Sequence, residues 1–171
     1  MTVSLEFFPG VMRAARAMYR RKEFALDYSV EQAPPAARNL DVKARVEATL
    51  GIRAPKWLGV ADTLVTVFSG ADADFVAFDS YTNIDLWTRT TELPWPNVIG
   101  VGKVCLAKPP RDTDQIDLGV VPRFHYSESQ ASLLITLGRV GTKHYQVSTC
   151  LVIGIDDEGL ASLQVSNLTV D

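Results

Sequence analysis

Beyond about residue 60 the apolar residues recur at every second position, and this period constrains the fold more than any other feature of the chain. The runs 63–68, 75–79, 84–90, 98–107, 116–121, 132–137, 145–155 and 160–170 are rich in Val, Ile, Thr and aromatics and are bounded by turn residues. Eight short strands without helix-length crossovers predict a mainly β fold, either an antiparallel jelly-roll-like sandwich or a barrel. Gly138-Arg-Val-Gly141 and Asp156-Asp-Glu-Gly159 place glycine where a hairpin needs positive φ, so the last three strands are expected to form an antiparallel meander. In 98–107 the nearly continuous apolarity predicts burial on both faces. There Gly100 and Gly102 leave a notch for a bend, a neighbouring backbone or a ligand.

Before residue 60 a different period fits. On a 3.6-residue wheel Val11, Met12, Ala15, Met18 and Tyr19 share one face and Arg13, Arg16 and Arg20 the other, which predicts an amphipathic helix after Pro9-Gly10. Its basic side, continued by Arg21 and Lys22, can contact phosphates or a neighbouring subunit, or simply be solvated. Ala33-Pro34-Pro35-Ala36-Ala37 reads as a stiff connector, and Asn39 can cap a second helix striped by Val42, Val46 and Leu50 and ended by Gly51. The expected organisation is a helical arm and connector at 1–38 and a helix plus β body at 39–171.

The net charge of -3 conceals an asymmetry. Residues 1–60 carry ten Lys and Arg against six Asp and Glu, so a basic first third precedes an acidic body. Such a layout fits an arm that meets a polyanion or docks on an acidic surface. No apolar run approaches the roughly 18 residues of a membrane span, and the start lacks the order of a signal peptide. A soluble protein is expected, in a reducing compartment such as the cytoplasm, or in a virion. Cys105 and Cys150 lie in apolar strand patterns without CxxC spacing and read as buried thiols.

Catalytic signals are weak. His144 and Cys150 fall on the same face of one predicted strand but about 20 Å apart, beyond hydrogen-bond reach. His125 has no marked partner. No GxxxxGK[ST] occurs, and Gly100-Val-Gly102 lacks the third glycine and the helix of a dinucleotide fingerprint. The acidic run Asp112, Asp114 and Asp117 can converge oxygens on calcium, which takes about six to eight ligands, with the remainder supplied by a neighbouring subunit. A solvated acidic turn is the simpler role for it.

The strand pattern Tyr81-Thr-Asn-Ile84-Asp-Leu86-Trp87, the Pro94-Trp95-Pro96 corner, Gly102-Lys103-Val104-Cys-Leu106-Ala107 and Asp112-x-Asp114-x-x-Asp117 together resemble the coat proteins of small icosahedral RNA viruses. The resemblance covers about a quarter of the chain. It implies an eight-stranded jelly roll, an interfacial calcium site at Asp112, Asp114 and Asp117, and a basic N-terminal arm on RNA. The leading expectation is thus a non-enzymatic, self-assembling shell protein of capsid or phage-particle type, homo-oligomeric and not membrane-bound. The alternative is a β-barrel that encloses a small apolar ligand, lined by Trp57, Trp87, Trp95 and Phe124, with isomerase- or lyase-like activity as an option. Aromatics at such positions also serve as core packing.

Overall fold

The computed structural model describes residues 3–31 and 55–171. They form β1 (Leu5–Pro9), β2 (Ala15–Arg20), β3 (Ala25–Val30), β4 (Lys56–Ala61), β5 (Leu64–Ser69), β6 (Asp74–Tyr81), β7 (Thr88–Arg89), β8 (Val98–Leu106), β9 (Gln115–Asp117), β10 (Arg123–Ser127), β11 (Ser132–Thr136), β12 (Lys143–Ser148), β13 (Leu151–Asp156), β14 (Gly159–Val165) and β15 (Thr169–Val170). All fifteen belong to one mixed sheet in the order β15-β2-β3-β6-β8-β12-β13-β14-β11-β10-β7, with β5-β4-β9 branching from β6 and β1 added to β8. The sheet curls into a half-barrel. β15 returns to run parallel to β2, pairing Thr169 with Met18. The mainly β expectation holds; the eight-stranded sandwich is replaced by a larger sheet in which β4–β9, β7–β10, β8–β12 and β2–β15 are parallel.

The expected N-terminal helix is a correction. Residues 15–20 form a strand in which Ala17 and Tyr19 are buried while Arg16 is exposed. Both periods fit this short stretch, and pairing decides between them. Ala15 to Arg20 lie opposite Val30 to Ala25, whereas an isolated helix of this length is marginal in water. The Tyr19 hydroxyl fixes the result: it donates to the Thr82 carbonyl at 2.8 Å and accepts from Ile84 N at 3.0 Å. Residues 5–30 therefore supply three strands of the sheet instead of a helical arm. The Pro-rich connector and the helix expected from Asn39 lie outside the described residues. Among the described residues the helical element is a 3-10 turn, Ile84–Leu86, and no helix is long and apolar enough to cross a membrane.

Other strands stop where the backbone turns. The run 145–155 breaks at Ser148 and resumes as β13, and 160–170 breaks at Asn167, whose φ is 55°. The run 84–90 begins as the 3-10 turn because Asn83 Oδ1 accepts from Asp85 N at 3.0 Å. The meander expected of the runs 132–137, 145–155 and 160–170 is corrected: β11 pairs with β10 and β14, and the antiparallel meander is β12, β13 and β14, with Asp156 opposite Gly159 at its second turn. Gly138–Gly141 is not a hairpin. It carries the chain from β11 across β14 and β13 to β12, and Gly141, at φ 90°, lies so near Gly154 that a Cβ would sit 2.9 Å from its carbonyl carbon.

The core follows the two curled faces. Leu26, Tyr28, Phe68, Phe75 and Phe78 fill one end and Leu133, Ile135, Leu151, Ile153, Leu163 and Val165 the other. β8 bridges them but is buried on both faces only at Val104, Cys105 and Leu106; Ile99 is exposed. The notch expected in β8 receives β1. A Cβ on Gly102 would collide with the Phe8 carbonyl oxygen, and one on Gly100 would lie 2.8 Å from the Phe7 ring. Phe7 stacks on Tyr145 with ring centroids 4.1 Å apart.

Candidate functional site

The register of β1, β8 and β6 assembles a polar row that no single stretch of sequence contains. Cys105 is paired with Glu6 on one side and with Asp74 on the other, while Lys103 lies opposite Phe8. Cross-strand partners share a face of the sheet, so these side chains converge. Arg13, in the link between β1 and β2, closes over the row. Its Nη1 donates to Asp74 Oδ2 at 2.5 Å and its Nη2 to Asp74 Oδ1 at 3.3 Å, and its own carbonyl accepts from Thr149 N at 2.9 Å.

Above this floor is a cleft of about 680 Å³. Phe8, Val11, Leu106 and Pro109 give it apolar walls, and Glu6, Asp72, Lys103 and Arg13 give it charge of both signs. Asp74 is 6% exposed. Burial outweighs the opposing pull of the Arg13 hydrogen bond and charge and holds its carboxyl above the usual range. Burial, reinforced by the charges of Asp74 and Asp72, pushes the Cys105 thiol up to about 11. At neutral pH that sulfur is a thiol and a poor nucleophile. The Arg13 Nε is buried and has no hydrogen-bond partner among the described residues, an uncommon state for a buried donor.

The cations read from the sequence are dispersed. Arg13 belongs to the cleft, Arg16 is exposed on β2, and Arg21 and Lys22 sit in the exposed turn that follows. Arg20 bonds Glu23 at 2.6 Å and approaches Asp27 at 2.7 Å. Asp112, Asp114 and Asp117 are all exposed. Asp117 Oδ1 accepts from Gly119 N at 2.8 Å, and the Asp114 carbonyl accepts from Leu58 N at 2.7 Å. Among the described residues no three or more His, Cys, Asp and Glu side chains are grouped to hold a metal ion, these three included.

Nor do the four aromatics line one cavity. Trp87 and Phe124 stack at 5.5 Å, and Trp87 also meets Tyr19 and Tyr126 edge-on, so this cluster is core. Trp57 donates Nε1–H to the Pro110 carbonyl at 2.9 Å, and Trp95 is exposed. His144 Nε2 lies 3.1 Å from the Val140 carbonyl, and Cys105 and Cys150 are buried free thiols, as expected.

Glu6, Asp74, Lys103 and Cys105 were not legible as a site because the residues that meet are far apart in the chain. A signal existed in each strand: Asp74 stands directly before Phe75 in a run with a buried face, and Lys103 interrupts the apolar sequence of β8. A charge inside an apolar strand marks a partner or a ligand. No protein-family model matches this chain, and no curated protein matches it either.

Proposed function

We propose that the chain is a non-enzymatic binding protein whose cleft takes a small zwitterion with an apolar body, of the size of a hydrophobic amino acid or dipeptide. The supporting observation is that Lys103, Glu6 and Asp72 line one cleft and none of them has an ion-pair partner among the described residues, whereas Arg13 is already engaged by Asp74. With Arg13 and Asp74 neutralising each other, Lys103, Glu6 and Asp72 remain to meet a zwitterion, and Phe8, Val11 and Leu106 to cover its side chain. A volume of about 680 Å³ falls within the range of small-molecule sites. Binding fits these groups better than chemistry does. No histidine lines the cleft, and Cys105 is held as the thiol.

Isothermal titration with Leu-Phe, its N-acetyl form and its C-terminal amide tests this reading. The free dipeptide is expected to bind, both blocked forms to bind more weakly, and Lys103→Gln to lose about tenfold, roughly 1.4 kcal/mol. Equal binding of all three ligands, or none to the wild type, rejects it.

A second reading, self-assembly into a shell, is favoured by the exposed apolar residues at the cleft and next to it: Val11 is 88% exposed, Phe8 49% and Met12 42%. In that reading Arg16, Arg21 and Lys22 contact RNA or a neighbouring copy, and Asp112, Asp114 and Asp117 share calcium across the contact. Light scattering with absorbance at two ultraviolet wavelengths, on protein purified without nuclease, separates the two. A large particle carrying nucleic acid supports assembly; a clean monomer or dimer removes it.

A further inference from the structure

Near the β10–β7 end of the sheet a second concavity has a different character. The register of β10 on β11 sets Arg123 opposite Thr136 and His125 opposite Leu134. Phe124 and Ile135, between them, pack toward the core, so Arg123, His125 and Thr136 share the outer face. Together with Val121 and the Gly138–Val140 loop they line a shallow groove of about 650 Å³.

The groove contains no carboxylate, although the chain as a whole is acidic. Its nitrogen-bearing side chains are Arg123, His125 and Arg139. Arg139 is engaged from behind, its Nε donating to Asp156 Oδ2 at 2.5 Å and its Nη1 lying 3.2 Å from Glu158 Oε2. Among the described residues neither Arg123 nor His125 has an ion-pair partner. Beside them Val121 is 70% and Val140 53% exposed.

We infer that this groove binds a phosphate monoester. The guanidinium of Arg123, the imidazole of His125 and the hydroxyl of Thr136 supply donors on one face, and the three terminal oxygens and second negative charge of a phosphate monoester engage more of them than the two oxygens of a carboxylate. Val121 and Val140 form an apolar shoulder for the ester group. The site is independent of the β1–β8 cleft.

Phenyl phosphate and benzoate, titrated into the ¹⁵N-labelled protein, provide the test. Phenyl phosphate is expected to give saturable amide shifts confined to residues 120–125 and 136–140, with benzoate at least about tenfold weaker. Arg123→Gln, a change at an exposed side chain, is expected to weaken phenyl phosphate by about tenfold or more. Lys56→Gln, an exposed cation elsewhere, leaves it unchanged. Equal binding of benzoate, undiminished binding to Arg123→Gln, equal loss in Lys56→Gln, or no saturable shift up to about 10 mM overturns the inference.

Discussion

Arg13 and Asp74 meet across 61 residues of sequence in a two-point contact of 2.5 and 3.3 Å, and the pair joins the β1–β2 link to the start of β6 beneath the cleft. Both side chains are largely removed from water, 20% and 9% exposed, so neither is easily left alone.

Arg13→Met is expected to destabilise the protein by about 3–5 kcal/mol, because it abandons a buried carboxylate. The double change Arg13→Met with Asp74→Leu is expected to recover most of that loss. Urea denaturation of the three proteins decides it, and a double variant as unstable as Arg13→Met removes the pairwise account.

Asp74 and Asp156 are expected to shape pH dependence in opposite senses. Burial raises Asp74, so its contribution is fully present below its unfolded value of about 3.9 and is lost as pH rises through the folded one. The Arg139 hydrogen bond lowers Asp156, so its contribution is present above about 3.9 and is lost as pH falls through the folded one. In denaturation midpoints measured across acid pH, Asp74→Asn is expected to remove a decline of stability with rising pH and Asp156→Asn to remove a rise, so the two slopes against pH change in opposite senses. Slope changes of the same sign count against this assignment.

Cys105 is expected to resist alkylation. With its thiol pushed up to about 11 and its side chain buried, iodoacetamide at pH 8 is expected to modify it only after unfolding, in step with urea denaturation monitored by fluorescence. Rapid modification of the native protein at that pH contradicts the buried-thiol description.

Gly102→Ala is expected to cost about 3 kcal/mol or more, since the new methyl meets the rigid backbone of Phe8 and Pro9. Gly100→Ala meets the Phe7 ring, which can move, so a smaller loss is expected there. Thermal unfolding of the two variants orders them, and the reverse order refutes the role given to β1.

The C-terminal half was the more legible. There period-two alternation, abundant β-branched residues and a turn such as Asp156–Gly159 agree with one another, and β12, β13 and β14 pair with near neighbours in sequence. The N-terminal half was not legible by the same means. Residues 11–20 satisfy the helical and the extended period alike, and what selects the strand is β3 with its pairing to β6 across residues 25–29 and 77–81. The cleft was hidden for a related reason. Glu6, Asp74 and Cys105 become neighbours only through register, which local composition does not encode. Trp87 and Phe124 were visible as aromatics, but their stacking in the core depends on the 3-10 turn that begins at Ile84.

The seam between β15 and β2 also has a kinetic meaning. Met18 and Tyr19 meet Thr169 and Val170, and the Arg21 amide reaches the Asp171 carboxylate over a separation of 150 residues. Contacts so distant along the chain close late and slow the search for the native state. Until they close, β2 presents unpaired amides and carbonyls of the kind that template association between chains. Docking of residues 169–171 therefore covers an edge of β2 that is otherwise open to association between chains.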